Sequence, residues 1–276
     1  MRRKNEAILS ILYHLHIISP KGLFVWAKSL ISEGISLMAL LRFVAYFYPQ
    51  HCAVIDDCQS LTYQKLYTRT RQLAQILHIK YHLQPKMRVA LIGRNSLPLT
   101  ILLHALSRLG IHTTLLSTDL GTEQIRATLQ KRHYQLFVYD EELKQVPIET
   151  PCTAVTTERL NDILLHKTSL TKKRKLPKIW RGGEITIHSG GTSGNFKSIA
   201  RRPSVTSFLP PLLALLHNIR IYEYKSVLIS LPFYHGFGLS TLIISLLMGK
   251  KVCLQKRFDA IKTLEIIQRE QIEVMP

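Results

Sequence analysis

The sequence predicts an α/β fold in which parallel sheets are flanked by helices. Three observations point there. From about residue 50 short β-rich runs alternate with amphipathic helical runs, which is the rhythm of βαβ units. With 276 residues and 46% hydrophobic side chains, the chain can bury a sizeable core. A glycine-rich stretch, HSGGTSGNFK (188–197), directly follows one of the predicted strands.

The elements follow in chain order. The leading MRRK precedes the apolar run AILSILYHLHIISP (7–20), a superficial likeness to a signal peptide. Two histidines and the lack of a small-residue cleavage site argue against one. No uninterrupted apolar stretch reaches about 18 residues, so no membrane span is predicted. The segment GISLMALLRFVAYFY (34–48) is apolar with one Arg. It either lies on a membrane or docks on the body of the protein, and docking is the expectation. Residues 1–49 are therefore read as an N-terminal helical segment. Thr62 is placed to cap a helix over 63–77, whose Leu66, Leu73, Ile76 and Leu77 share one face. A strand is predicted over 87–92, then a helix near 96–109, with Gly110 where a helix end favours a left-handed residue. Strand 111–116, a helix near 121–132 and strand 135–139 follow. The basic block TKKRKLPK (171–178) interrupts this rhythm and reads as the centre of a surface linker over 167–181. Beyond it lie strand 184–188, the glycine run, an extended stretch 198–202 and a helix opened by Pro203 and Ser204. The remainder alternates strand 226–231, helix near 238–248, strand 251–254, helix near 259–270 and a strand start at 272–274. Residues 50–276 form the second predicted unit.

Charge and cysteines narrow the function classes. The 37 Lys and Arg against 18 Asp and Glu give a formal charge of +19. Such a balance suits nucleic acid, an anionic membrane surface or anionic substrates, but a basic proteome or a charged solvated surface is the favoured, plainer reading. The charge is spread along the chain and no aromatics interleave with it to stack bases, so nucleic acid is not expected as a partner. Cysteines stand at 52, 58, 152 and 253, without a CxxC pair or Cys/His zinc spacing. They read as reduced thiols of a cytoplasmic protein, and no metal-ligating set is predicted.

The glycine run is poor in packing groups and rich in the groups that hold phosphate. Inward-pointing backbone N–H groups cradle an anion best where no side chain obstructs them, and Gly190, Gly191 and Gly194 leave that space. Ser189, Thr192 and Ser193 add hydroxyl donors, and Lys197 adds a full positive charge against a polyanion. Alone, the run is equally compatible with a plain turn. It fits neither the Walker spacing, because Asn195 stands where the second glycine is needed, nor the dinucleotide G-x-G-x-x-G spacing.

It does resemble the signature loop of the adenylate-forming superfamily, which holds acyl-CoA synthetases, luciferases and peptide-synthetase adenylation domains. That loop reads Ser/Thr-Ser/Gly-Gly-Ser/Thr-Ser/Thr-Gly-x-Pro-Lys, and SGGTSGNFK (189–197) matches it except that Phe196 replaces the proline. Three further segments resemble the family in the same order. LTYQKL (61–66) is similar to its entry to a first long helix, and RVALIGRNSLPL (88–99) to its first conserved strand and turn. LPFYHGFGLSTLIISLLMGKKVCLQKRF (231–258) is similar to its second conserved region in the acyl-CoA synthetase and luciferase branch. The resemblance covers about residues 40–276 and implies the partial N-terminal domain of the adenylate-forming fold.

The resemblance implies an enzyme that uses ATP and Mg2+ to convert a carboxylic acid, here read as a fatty acid, to an acyl-adenylate, then to a coenzyme A thioester. Negative charge builds on the leaving pyrophosphate, so N–H donors and a cation at the β- and γ-phosphates lower the barrier. Ser189, Gly190, Gly191, Thr192, Ser193, Gly194 and Lys197 are the implied nucleotide-binding set, with Lys197 also catalytic. The resemblance places His235 near the substrate carboxylate, where it could hydrogen-bond substrate and transition state. Gly236 and Gly238 beside it suggest close approach of a ligand, against the plainer role of a histidine at a strand end. His188 is read as a strand-end residue. The stripe Leu239, Leu242, Ile243, Leu246 and Leu247 is read as helical core in preference to an acyl tunnel.

The family's aromatic-Gly-x-Thr-Glu motif, its ribose-binding Asp and its C-terminal catalytic lysine domain are not found in the sequence. The expectation is a truncated or split acyl-CoA ligase, with a separate polypeptide supplying the missing half. The alternative is a non-catalytic nucleotide- or partner-binding remnant. Peripheral membrane contact is compatible with both.

Overall fold

The computed structural model describes residues 13, 16, 18–146, 149–166, 175–188, 198–201 and 221–276. From residue 18 onward two helices come first, α1 (Pro20–Glu33) and α2 (Leu37–Phe47). A short hairpin of β1 (Cys52–Ile55) and β2 (Ser60–Thr62) feeds α3 (Tyr63–Lys80). Then come β3 (Arg88–Ile92), α4 (Leu97–Arg108), β4 (His112–Leu116), α5 (Thr122–Lys131) and β5 (Leu136–Tyr139). β6 (Thr153–Thr156), α6 (Thr157–His166), β7 (Ile185–His188) and β8 (Ser198–Arg201) follow. A 3-10 turn at Ile221–Glu223 leads into β9 (Ser226–Ile229), α7 (Gly236–Leu247), β10 (Lys251–Leu254) and α8 (Ala260–Glu270).

The strands form two sheets. The larger runs in the order β6-β5-β3-β4-β7-β8, and only the β7–β8 pair is antiparallel. The smaller runs β2-β1-β10-β9, with only β1–β2 antiparallel. Both exceptions have a simple cause. A parallel crossover needs about a dozen residues or more, and these strands are joined by residues 56–59 and 189–197 alone.

Side chains on the larger sheet alternate between two apolar layers, as the period of a strand requires. Val89, Leu91, Leu115 and Val138 face a layer built from α2, α3, α4 and α6. Ala90, Ile92, Leu116 and Phe137 face Ile125 and Leu129 of α5. The smaller sheet closes the other side of the first layer with Val54, Val227 and Val252, where Leu242 of α7 joins it. Its far face packs Leu228 and Cys253 on Ile266 of α8. Among the described residues the order is thus helix, sheet, helices, sheet, helix, with the main core between the sheets.

The predicted caps are in place. The Thr62 hydroxyl accepts from the Lys65 amide at 3.3 Å, and the four predicted apolar residues of α3 are all buried. Gly110 takes φ +71°, the left-handed conformation that other residues adopt only under strain. The apolar segment 34–48 forms α2, whose Met38, Leu41, Phe43 and Val44 are buried, so it docks into the core. Tyr63 explains the Leu-Thr-Tyr entry. Leu61 is buried in β2, Thr62 caps α3, and the buried Tyr63 phenol donates to the Lys250 carbonyl at 2.7 Å beyond the end of α7.

The structure also departs from expectation. β1, β2, β6 and α6 had no individual sequence prediction. The linker over 167–181 is anchored at its described end: Arg108 donates to the Pro177 carbonyl at 3.1 Å, and Ile35 donates to that of Trp180 at 3.0 Å. The strand start at 272–274 is a single parallel bridge, Val227 to Val274. The helix expected after Pro203 lies outside the described residues.

Candidate active site at the carboxyl edge of the sheets

In open parallel sheets ligands sit outside the carboxyl ends of the strands, where successive connections leave toward opposite faces. Here α4 follows β3 on one face of the larger sheet and α5 follows β4 on the other. The carboxyl ends of β3 and β4, with β7 beside β4, therefore border the position where this rule puts a ligand crevice. β4 and β7 pair up to Leu116 and His188, so Ser117, Thr118 and Asp119 leave β4 at the same edge at which β7 ends. Ser189, Gly190, Gly191, Thr192, Ser193, Gly194 and Lys197 themselves lie outside the described residues.

The smaller sheet reaches the same crevice through the turn 231–235. Asn95, buried just beyond β3, holds that turn from below. Its amide donates to the Leu231 carbonyl at 2.9 Å, and its oxygen accepts from the Phe233 amide at 3.0 Å. Tyr234 crosses from the turn to the larger sheet, where its hydroxyl lies 3.0 Å from the Thr118 hydroxyl. Asp119 accepts from Ser117 at 3.0 Å beside this contact. Asp140, at the end of β5, accepts from the Thr157 hydroxyl and the Arg94 amide, both at 2.6 Å. Burial pushes its carboxyl above the usual aspartate range, against the opposing pull of those two donors.

His235 is brought to this place. It is the N-cap of α7, its side chain is exposed, and its ring lies 4.8 Å from that of Tyr234. The backbone there is fixed, because the His235 amide donates to the Pro232 carbonyl at 2.9 Å. Gly238 has a different reason from the one expected. A Cβ at that position would meet the Pro232 carbonyl at 2.5 Å and the Leu231 carbonyl at 2.6 Å. The glycine lets α7 press on its own preceding turn, so it is no sign of ligand approach. Leu239, Leu242, Ile243 and Leu246 are buried in the core, as the plainer reading of that stripe had it.

Asn95, Thr118, Asp140 and Tyr234 had no assigned role in the sequence. Asn95 and Tyr234 fall inside the two conserved-looking segments, which was the available signal. Asp140 ends an unremarkable strand and gave none. Among the described residues no three His, Cys, Asp or Glu side chains converge as a metal site.

Comparison with known proteins fits this geometry. The family model described as AMP-binding enzyme matches residues 41–276. The chain belongs to the AMP-binding enzyme family. The 2-succinylbenzoate–CoA ligase of Bacillus licheniformis is 26% identical over 228 residues, 82% of this chain and 46% of that protein. The chain thus spans about half the length of such curated relatives. The o-succinylbenzoate CoA synthetase of Bacillus subtilis, solved with the acyl-adenylate OSB-AMP, superposes with a TM-score of 0.71 at 21% identity, covering 86% of this chain and 60% of that one. The N-terminal domain of FACL13 from Mycobacterium tuberculosis gives 0.73 at 18%, covering 87% and 62%. At these identities the likeness is one of fold, the N-terminal portion of an adenylate-forming enzyme. No helix of the described residues is long and apolar enough to cross a membrane.

Proposed function

We propose that the chain takes part in ATP-dependent activation of a carboxylic acid, forming an acyl-adenylate and then a coenzyme A thioester. The observation that carries this reading is the family match over 41–276, together with the glycine run that follows β7 in the sequence. In this proposal the backbone of residues 189–194, the Thr192 and Ser193 hydroxyls and Lys197 hold the triphosphate. Bound Mg2+ would neutralise charge on the phosphates. The exposed His235, fixed on its turn, donates to the substrate carboxylate. The Asn95 and Tyr234 contacts keep that turn at a set distance from the ends of β3 and β4, which is what orientation of two reactants requires. The 2-succinylbenzoate–CoA ligase relatives support an acid carrying an aromatic ring beside the fatty acid suggested by the sequence. The Bacillus subtilis synthetase solved with ATP and a magnesium ion supports those cosubstrates. The 46% span of the Bacillus licheniformis ligase supports a reaction that needs a further polypeptide or further sequence, with residues 50–276 as part of the adenylation domain and 1–49 as a preceding helical segment. A reducing, cytoplasmic setting suits the four free cysteines.

Carboxylate-dependent ATP–pyrophosphate exchange tests the proposal. The 276-residue chain alone is expected to bind MgATP without exchange. Exchange is expected once a polypeptide carrying the aromatic-Gly-x-Thr-Glu motif completes the fold. Lys197→Ala should lower the reconstituted rate by about 10²–10³-fold, the size of losing one transition-state donor. An unchanged rate would remove the loop from catalysis and leave the binding-remnant reading, which Phe196 in the proline position favours.

A further inference from the structure

A helix on the surface of a globular protein normally turns polar side chains outward. α1 does the reverse. Gly22, Val25, Ser29 and Glu33 face inward, while Leu23 is 56%, Phe24 59%, Leu30 40% and Ile31 86% exposed. At about 100° per residue these four fall within an arc of roughly 120°. The only acid of the helix, Glu33, is buried. Lys21 and Lys28 border the arc, with the Lys28 ammonium 4.4 Å above the Phe24 ring.

Trp180 extends the patch. It is 85% exposed, and its carbonyl accepts from Ile35 just beyond the end of α1. This corner sits at the amino edge of the larger sheet, because Ile35 bridges to Arg181, four residues before β7. The candidate active site is at the opposite, carboxyl edge.

We propose that α1 and Trp180 form a docking face for an anionic lipid bilayer, with α1 lying in the plane of the interface. Its 14 residues span about 21 Å, too short for the roughly 30 Å of a bilayer core. An outward apolar arc, bordering lysines and an exposed indole are what an interfacial helix presents to headgroups and upper acyl chains. A second copy fits less well, since a two-fold contact through this face would bring Lys21 and Lys28 toward their own counterparts on chains of charge +19. Docked in this way, the carboxyl-edge crevice faces water. The inference does not depend on the proposed reaction, since lipid binding is read without ATP or a carboxylate.

Flotation with vesicles of phosphatidylglycerol and phosphatidylcholine tests it. The chain is expected to float with anionic vesicles and far less with phosphatidylcholine alone. Its emission should shift to the blue on binding, and Trp180→Phe should abolish that shift. The double variant Phe24→Ser, Ile31→Ser should partition about tenfold or more weakly. The control Ile261→Ser, Leu264→Ser, on the exposed face of α8, should partition as the parent does. Wild-type binding by the Phe24→Ser, Ile31→Ser variant, or an unshifted emission on binding, would reduce the effect to diffuse charge and overturn the proposal. A dimer in sedimentation equilibrium that the same variant dissociates would assign the face to a second copy instead, and would overturn it equally.

Discussion

His104 lies in the middle of α4 with 3% of its surface exposed, and its Nδ1 is 2.8 Å from the Thr100 carbonyl. Burial, partly offset by that carbonyl, lowers its pKa to about 4 from the ordinary 6.5. The unfolded chain therefore takes up a proton between pH 6.5 and about 4 that the folded chain refuses. Stability should rise with pH across this window and fall on acidification, by up to about 3 kcal/mol. Urea denaturation at pH 7 and pH 5 checks this, with His104→Leu expected to flatten the difference. An equal pH dependence in the variant would mean that His104 titrates normally. Nothing in the sequence marks this residue, because LTILLHALSR (99–108) reads as a largely apolar helix carrying Thr100, His104, Ser107 and Arg108. Its burial follows only from α4 being enclosed on several sides, which a single helical period cannot reveal.

Between elements, one buried ion pair joins α1 to α4. The Arg108 Nε lies 2.6 Å from Glu33 Oε2, with 7% and 2% side-chain exposure. Tyr67 of α3 donates to Glu33 Oε1 at 2.8 Å, and Arg108 also donates to the Ser32 and Pro177 carbonyls. Burial pushes the Glu33 carboxyl upward, but the Tyr67 and Ser32 hydroxyls and the Arg108 charge outweigh it and hold the pKa below 4.5. The stabilisation is therefore present above pH 4.5 and is lost as pH falls through the lower folded value. Arg108→Met should destabilise by about 3 kcal/mol, because it takes the nearer cation from a buried carboxylate and leaves it the partly exposed Arg42 at 3.4 Å, and should loosen α1 from the body. Amide exchange in α1 measures the second effect, and exchange as slow as in the parent chain would show that apolar packing alone secures the helix. Sequence reasoning found the apolar half of this contact. It expected 34–48 to dock, and α2 does. It had no means to pair a glutamate with an arginine 75 residues away, and so it gave residues 175–181 to a solvated linker.

For the molecule as a whole, local pattern identified strands and helices but left their grouping into sheets open. β3, β4 and β5 are largely buried runs, and each lies where the alternation predicted. That β1 pairs with β10, Val54 opposite Val252, is a contact across most of the chain and has no local signature. β6 escaped because it is a four-residue edge strand with Thr153 and Ala154 exposed. The candidate site was read from a glycine run and one histidine because motifs are local. The braces that hold the histidine's turn were not, because each joins segments of different sheets. Asn95→Ala tests the most enclosed brace. The substitution strands the Phe233 amide and the Leu231 carbonyl, which the amide side chain now satisfies at 3.0 and 2.9 Å. With about 1–3 kcal/mol for each unsatisfied buried group, the chain should lose about 2–4 kcal/mol in urea denaturation. Amides of 233–239 should exchange faster while those of β3 and β4 stay protected. Tyr234→Phe removes the hydroxyl contact to Thr118 and the long one to Asp119, and should cost about 1 kcal/mol. If Asn95→Ala unfolds at the parent midpoint with its turn still protected, the two sheets are held together by the shared helical layer alone, and His235 owes its position to α7.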